Sequence, residues 1–231
     1  MPENAINLIA LVVGAMTLST LVGPAVGLSP GITVAATALL LVGYSLDSFV
    51  WRSQGLALTL DWVDQRSPDH RQRILHHEAG HLLVATLLDL EVTGYALSAW
   101  EAFRQGEGVQ IGVRFRDARL EAGLASGQLP VETVNRYCQA LMAGGAAEQL
   151  IYGNVEGGQE DVAQFRQLWR ALGRSEEDCQ RQQRLSAILA RELIAAHRDC
   201  YDQLVEAMAE RQPAQACRAL VAPQSAASAQ V

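Results

Sequence analysis

The chain has 231 residues, a formal net charge of −7 and 18 basic residues, every one of them arginine. A P-loop uses its lysine to reach nucleotide phosphates, so a chain without lysine carries no Walker-type ATP site. Scattered arginines on an acidic chain also argue against nucleic acid as a main partner. Cys138, Cys179, Cys200 and Cys217 form no C-x-x-C pair and no disulfide framework, and read as buried or free thiols.

The first fifty residues differ from the rest. Ala5 to Val22 and Gly31 to Trp51 are apolar runs separated by Gly23-Pro24 and Ser29-Pro30. At 1.5 Å per residue each is about 27–32 Å long, the thickness of a bilayer core. The sequence therefore predicts a membrane anchor over 1–52, a hairpin of transmembrane helices at about 5–22 and 31–51. A signal peptide and a buried helical hairpin are the competing readings. The start, Met1-Pro2-Glu3-Asn4, lacks the basic region of a signal peptide. The turn is uncharged while Arg52, Arg66, Arg71 and Arg73 follow the second run. That asymmetry puts both ends on the cytoplasmic side, or on the stromal side in a plastid, with the thylakoid as one setting. Asp47, close to Trp51-Arg52, is expected at the membrane interface.

Residues 53–66 form a linker. There Leu56, Leu58, Leu60 and Trp62 alternate with Ala57, Thr59 and Asp61, which suits a short strand or an interfacial segment. A helix begins at Ser67-Pro68-Asp69, with Ser67 as N-cap and Pro68 at the first helical position, and runs to about Leu88. Mid-helix lies His77-Glu78-Ala79-Gly80-His81. Residues four apart share a helix face, so two imidazoles at this spacing can hold one metal ion, and Glu78 can polarise a water on it. With 5 His in the chain, chance would give the pattern about 0.007 times, so it is a strong signal.

Val92 to Trp100 and Val109 to Phe115 are candidate strands joined by an irregular stretch, and an edge beside the motif helix could take up a peptide as an extra strand. Residues 117–129 read as loop. A helix follows from Pro130 to about Tyr152, and its paired Gly144-Gly145 indicates another element packed against its backbone. A further helix starts near Gln159-Glu160-Asp161. A long helix then runs from Ser175 to about Arg211, where Pro213 stops it, and 212–231 reads as a disordered tail.

A catalytic zinc takes three protein ligands and leaves one position open. His70 and His76 read as exposed or supporting residues, and His197 as a surface or packing residue. The better third ligands are acidic, Glu148 or Asp161.

Taken together, His77-Glu78-Ala79-Gly80-His81, Gly144-Gly145-Ala146-Ala147-Glu148 and Gly158-Gln159-Glu160-Asp161-Val162 resemble the peptidase domain of FtsH-type membrane metalloproteases. The resemblance covers roughly residues 67–211. It implies a mainly α fold with a small β hairpin, zinc (Zn2+) bound by His77, His81 and Asp161, and Glu78 as general base. The family places an ATPase module between its membrane segments and its peptidase domain. Here only a short linker stands there, so the chain is similar to the ATPase-less FtsH-like proteins of cyanobacteria and plastids. The expected function is a membrane-anchored zinc metalloendopeptidase, ATP-independent by itself, acting on membrane-associated or unfolded proteins. Its expected partners are protein or peptide substrates and a lipid bilayer, with self-association or full-length FtsH-type proteases as further ones. The alternative is a non-catalytic zinc-binding partner or assembly factor of a membrane protease or complex. A purely structural zinc is the third reading.

Overall fold

The computed structural model describes residues 3–27, 29–49 and 54–228. The protein is mainly helical. In chain order its elements are α1 (Glu3–Val22), a 3-10 turn (Gly23–Val26), α2 (Pro30–Phe49), α3 (Gln54–Asp64), α4 (Pro68–Leu87), β1 (Glu91–Ala96), α5 (Ala99–Arg104) and β2 (Gly112–Arg116). The helices α6 (Ala118–Ser126), α7 (Val131–Tyr152), α8 (Gln159–Ala171), α9 (Glu176–Ala196), α10 (Arg198–Ala209) and α11 (Ala214–Ser228) follow. They form two compact units, Met1–Ser67 with Ser98–Gln110, and Pro68–Leu97 with Ile111–Val231.

In the first unit, α1 and α2 correct the expected transmembrane hairpin and the two-pass placement built on it. Among the described residues, no helix is long and apolar enough to cross a membrane. Spanning takes about 20 consecutive, predominantly apolar residues. Thr17, Ser19 and Thr20 interrupt α1, and Ser45 and Asp47 fall before the end of α2. Thr17 and Thr20 turn their hydroxyls back onto the carbonyls of Val13 and Met16, each at 2.8 Å. Asp47, expected at the end of such a span, accepts the Gly55 N–H at 2.7 Å in the first turn of α3. Trp51 and Arg52, where the expected anchor ended, lie outside the described residues.

The linker, read as a short strand or an interfacial segment, is the helix α3. Its Leu and Ala content favours helix, and a strand without a neighbour would leave its backbone groups unpaired. Asp61 on α3 accepts the N–H of Ala99 at 2.9 Å, at the start of α5, and Ser98 caps that helix by accepting from Glu101.

The second unit carries the His-Glu motif. Here β1 and β2 pair antiparallel, with Tyr95 opposite Val113 and Ala96 opposite Gly112. Residues 118–126, expected as loop, form α6 because both ends are capped. Asp117 accepts from the N–H groups of Arg119 and Leu120, and Gly127 closes the helix at φ 70°. The expected long helix breaks at His197 (φ −116°, ψ 36°) into α9 and α10. The break gives the chain two directions, so that α9 packs on α7 while α10 packs on α4. Tyr201 from α10 is fully buried there; its hydroxyl donates to the His76 carbonyl at 3.0 Å and accepts from His76 Nδ1 at 2.9 Å.

Residues 214–228, expected to lack structure, form α11, whose Cys217 and Val221 are buried in the same core as Leu82, Leu83 and Ile194. Residues 229–231 lie outside the described residues. A second cluster joins Cys138 and Leu141 of α7 to Phe165 and Trp169 of α8. The two α8 rings stack with centroids 5.6 Å apart. All four cysteines are buried and unbridged, and burial pushes the Cys138 thiol up to about 12.

Phe165 anchors α8 one turn after Asp161 and is fully buried. Phe165→Ala is expected to lower stability by about 3–5 kcal/mol, read as a reduced urea midpoint.

Candidate metal centre

The two histidines of the motif meet α7 because α4 and α7 approach backbone to backbone. A Cβ on Gly80 would stand 2.7 Å from the Ala143 carbonyl oxygen and 2.7 Å from Ala147 Cβ, so only glycine fits there. Gly144 serves a separate purpose. A Cβ on it would overlap Nε2 of both His77 and His81, and its missing side chain is the space those nitrogens occupy.

Asp161, in the first turn of α8, completes the group. Its Oδ2 lies 3.1 Å from His77 Nε2 and 3.3 Å from His81 Nε2, and the two Nε2 atoms are 3.1 Å apart. His77, His81 and Asp161 thus form a group able to hold a metal ion, with one donor atom from each within 4.8 Å of the others. Both imidazoles are buried, and Asp161 is partly so.

The opposite ring nitrogens are spoken for. His81 Nδ1 donates to the Ala140 carbonyl at 2.8 Å, and His77 Nδ1 donates to Glu148 Oε1 at 2.7 Å. Such bonds fix ring orientation and leave each Nε2 lone pair for a metal. Glu148 is therefore a support for His77, held on the side away from the three donors. It is itself held by Arg73 at 2.8 Å and by the N–H groups of Glu156 and Gly157 at 2.9 and 3.2 Å. A Cβ on Gly157 would come within 2.6 Å of Glu148 Oε1, so this turn too depends on glycine.

Electrostatics follow from this packing. Burial alone would raise the Glu148 carboxyl, but His77, the Glu156 N–H and Arg73 together hold it down at about 2. Burial likewise works against ionised Asp161, yet the two histidines bring it well below the usual carboxylate range. Burial would lower His77, but its bonds to Asp161 and Glu148 overcome that and raise it to about 10; His81 is raised for the same kind of reason. A proton and a metal ion thus compete for the same imidazole nitrogens.

Glu78 points to the other side of the motif. Its Oε2 accepts the N–H of Val113 at 2.8 Å at the start of β2, and among the described residues its Oε1 has no hydrogen-bond partner. Gly112, at φ 131°, leaves the approach to this carboxylate open. Of the residues singled out from the sequence, His77, His81 and Asp161 come together, with Glu78 beside them. His76 bonds to Tyr201 and His197 closes α9, and neither joins the group. Sequence reasoning missed Arg73, although it stands one helical turn before His77. It could not have found the Ala140 carbonyl, which has no side-chain signature. No family model matches the chain, and no curated protein matches it.

Removing the Glu148 carboxylate leaves His77 Nδ1 without its acceptor. Glu148→Ala is expected to weaken metal affinity about 10–100-fold in chelator competition, and Gly144→Ala to abolish binding. A proton on His77 or His81 excludes a metal, while Glu148 and Asp161 are already ionised. Stabilisation from the raised His77 is present below its ordinary value near 6.5 and is lost as pH rises through about 10. Metal binding at pH 7 is therefore expected to release protons and to tighten as pH rises. Calorimetry in two buffers of different ionisation enthalpy measures that release.

Proposed function

We propose that the chain is a zinc-dependent endopeptidase of the FtsH type, which cuts flexible or already unfolded protein segments without ATP. The observation that carries this reading is the spacing of the three donor atoms. Ligand atoms bound tetrahedrally to zinc at about 2.0–2.1 Å stand about 3.3 Å from one another. His77 Nε2, His81 Nε2 and Asp161 Oδ2 lie 3.1–3.3 Å apart. Two imidazoles and one carboxylate suit zinc far better than magnesium or calcium, which prefer all-oxygen shells. Three protein ligands rather than four leave a position for chemistry.

Zinc in this site would supply Lewis acidity, polarising a scissile carbonyl and making water acidic enough to attack it. The chain's own residues do the rest. Glu78 is fixed at Oε2 by the Val113 N–H, and its Oε1 is left to take the proton of the attacking water and pass it to the leaving amine. Glu148 and the Ala140 carbonyl keep both imidazoles aimed and neutral at Nε2. The outer edge of β2 lies beside Glu78 and offers backbone groups to an extended peptide. Because the chain has no nucleotide loop, its substrates are segments that need no unfolding.

A second reading is a zinc-holding protein that binds a partner without cutting it. The Val113 bond to Glu78 favours it, since that bond occupies half of the carboxylate. Cleavage of casein separates the two. Glu78→Gln is expected to lower the rate about 10²–10⁴-fold while bound zinc stays at one per chain. Cleavage unchanged in that variant would remove Glu78 from the mechanism, and a wild type that holds zinc yet never cuts would select the second reading.

A further inference from the structure

A cleft of about 260 Å³ opens between α7, α8 and α9. Leu141, Met142, Val162 and Ala187 line it with apolar surface, and Asp161 forms part of the same wall. The centre and the cleft therefore share a residue. The second member of the glycine pair also gains a role, because Gly145 lines the cleft and a Cβ there would meet nothing closer than Val155 at 3.4 Å. A side chain at 145 would grow into the space. Val155 and Ile188, which border it, are 48% and 46% exposed, so large apolar groups are left facing solvent beside an apolar hollow.

Resting on the peptidase reading, we infer that this cleft is the specificity pocket and takes one apolar side chain of the peptide, of leucine or phenylalanine size, next to the scissile bond. A peptide whose carbonyl reaches the centre has its neighbouring side chains a few ångströms away, and Asp161 brings the cleft within that distance. The chemistry of the wall selects the class. Asp161 has its carboxylate turned to the two histidines, and an acidic side chain entering among Leu141, Met142, Val162 and Ala187 would lose its water. Arg191, at the exposed end, disfavours a basic one. Methyl and aromatic groups lose water on entering and leave no polar atom unpaired.

The test uses hydroxamates, which bind a metal directly, on the zinc-loaded full chain. One compound carries an isobutyl group beside the hydroxamate, a second has hydrogen there, and a third has carboxymethyl. The isobutyl compound is expected to bind about 10- to 100-fold tighter than the hydrogen compound by calorimetry. Gly145→Leu and Ala187→Phe, each filling the cleft from a different helix, should bring that ratio close to one while leaving the hydrogen compound's affinity unchanged. The wild-type series decides even where a variant fails to fold. Equal affinities for isobutyl and hydrogen compounds overturn the pocket and leave the metal centre standing. Tighter binding of carboxymethyl overturns its apolar character in favour of Arg191. If no hydroxamate binds, the zinc centre itself fails, and the pocket with it.

Discussion

Everything at the centre depends on how closely α4 approaches α7. The contact is set at Gly80, where the helix surface lies against the Ala143 carbonyl and the Ala147 methyl with no room for a Cβ. That approach carries His77 and His81 onto the backbone of Gly144, where their Nε2 atoms fill the space of an absent side chain. A wider separation would break three things together: the Nδ1 bond of His81 to Ala140, the Nδ1 bond of His77 to Glu148, and the reach of both imidazoles to Asp161. A Cβ on Gly145 would meet Val155 at 3.4 Å and neither imidazole. Its lack of a side chain opens the neighbouring cleft.

Around this contact the charges form one connected system. Arg73 and the backbone N–H groups of Glu156 and Gly157 hold Glu148 ionised, Glu148 aims His77, and Asp161 bridges both imidazoles. Glu148, which is buried, and Asp161, which is partly so, flank His77 on opposite sides, and the raised proton affinity of the imidazoles offsets their charge. A divalent cation takes over that task in exchange for the protons. The same arrangement explains why one acidic residue ligates and the other supports. Asp161 meets the Nε2 side and Glu148 the Nδ1 side, and a histidine cannot present one lone pair to both.

Stability comes from elsewhere in the same unit. Tyr201 pins α10 to α4 beside the motif, and Phe165 with Trp169 clamps α8 beneath α7. Tyr201 thereby holds the helix that brings two ligands and Phe165 the helix that brings the third, so the centre is built on helices held by apolar burial rather than on loops. The break at His197 is what allows a single stretch of chain to cover both α7 and α4.

The sequence by itself determined the motif, its place in the middle of a helix that begins at Pro68, and the shortlist of Glu148 and Asp161. Local rules suffice for these, because helical spacing, capping and side-chain chemistry are written residue by residue. Local signals were also present, and misread, at Asp117 and Gly127, which cap a helix where a loop was expected. The apolar runs of the first fifty residues had the length of a membrane span, but length and composition say nothing of where Thr17, Thr20 and Asp47 find their hydrogen bonds. Only the tertiary structure decided that Glu148 faces the Nδ1 side of His77, why two adjacent glycines have different tasks, and that Cys217 and Val221 of α11 join the core. Those outcomes depend on contacts between residues far apart in the chain, such as Gly80 with Ala143, His77 with Glu148 and Tyr201 with His76, and no local pattern encodes such distances.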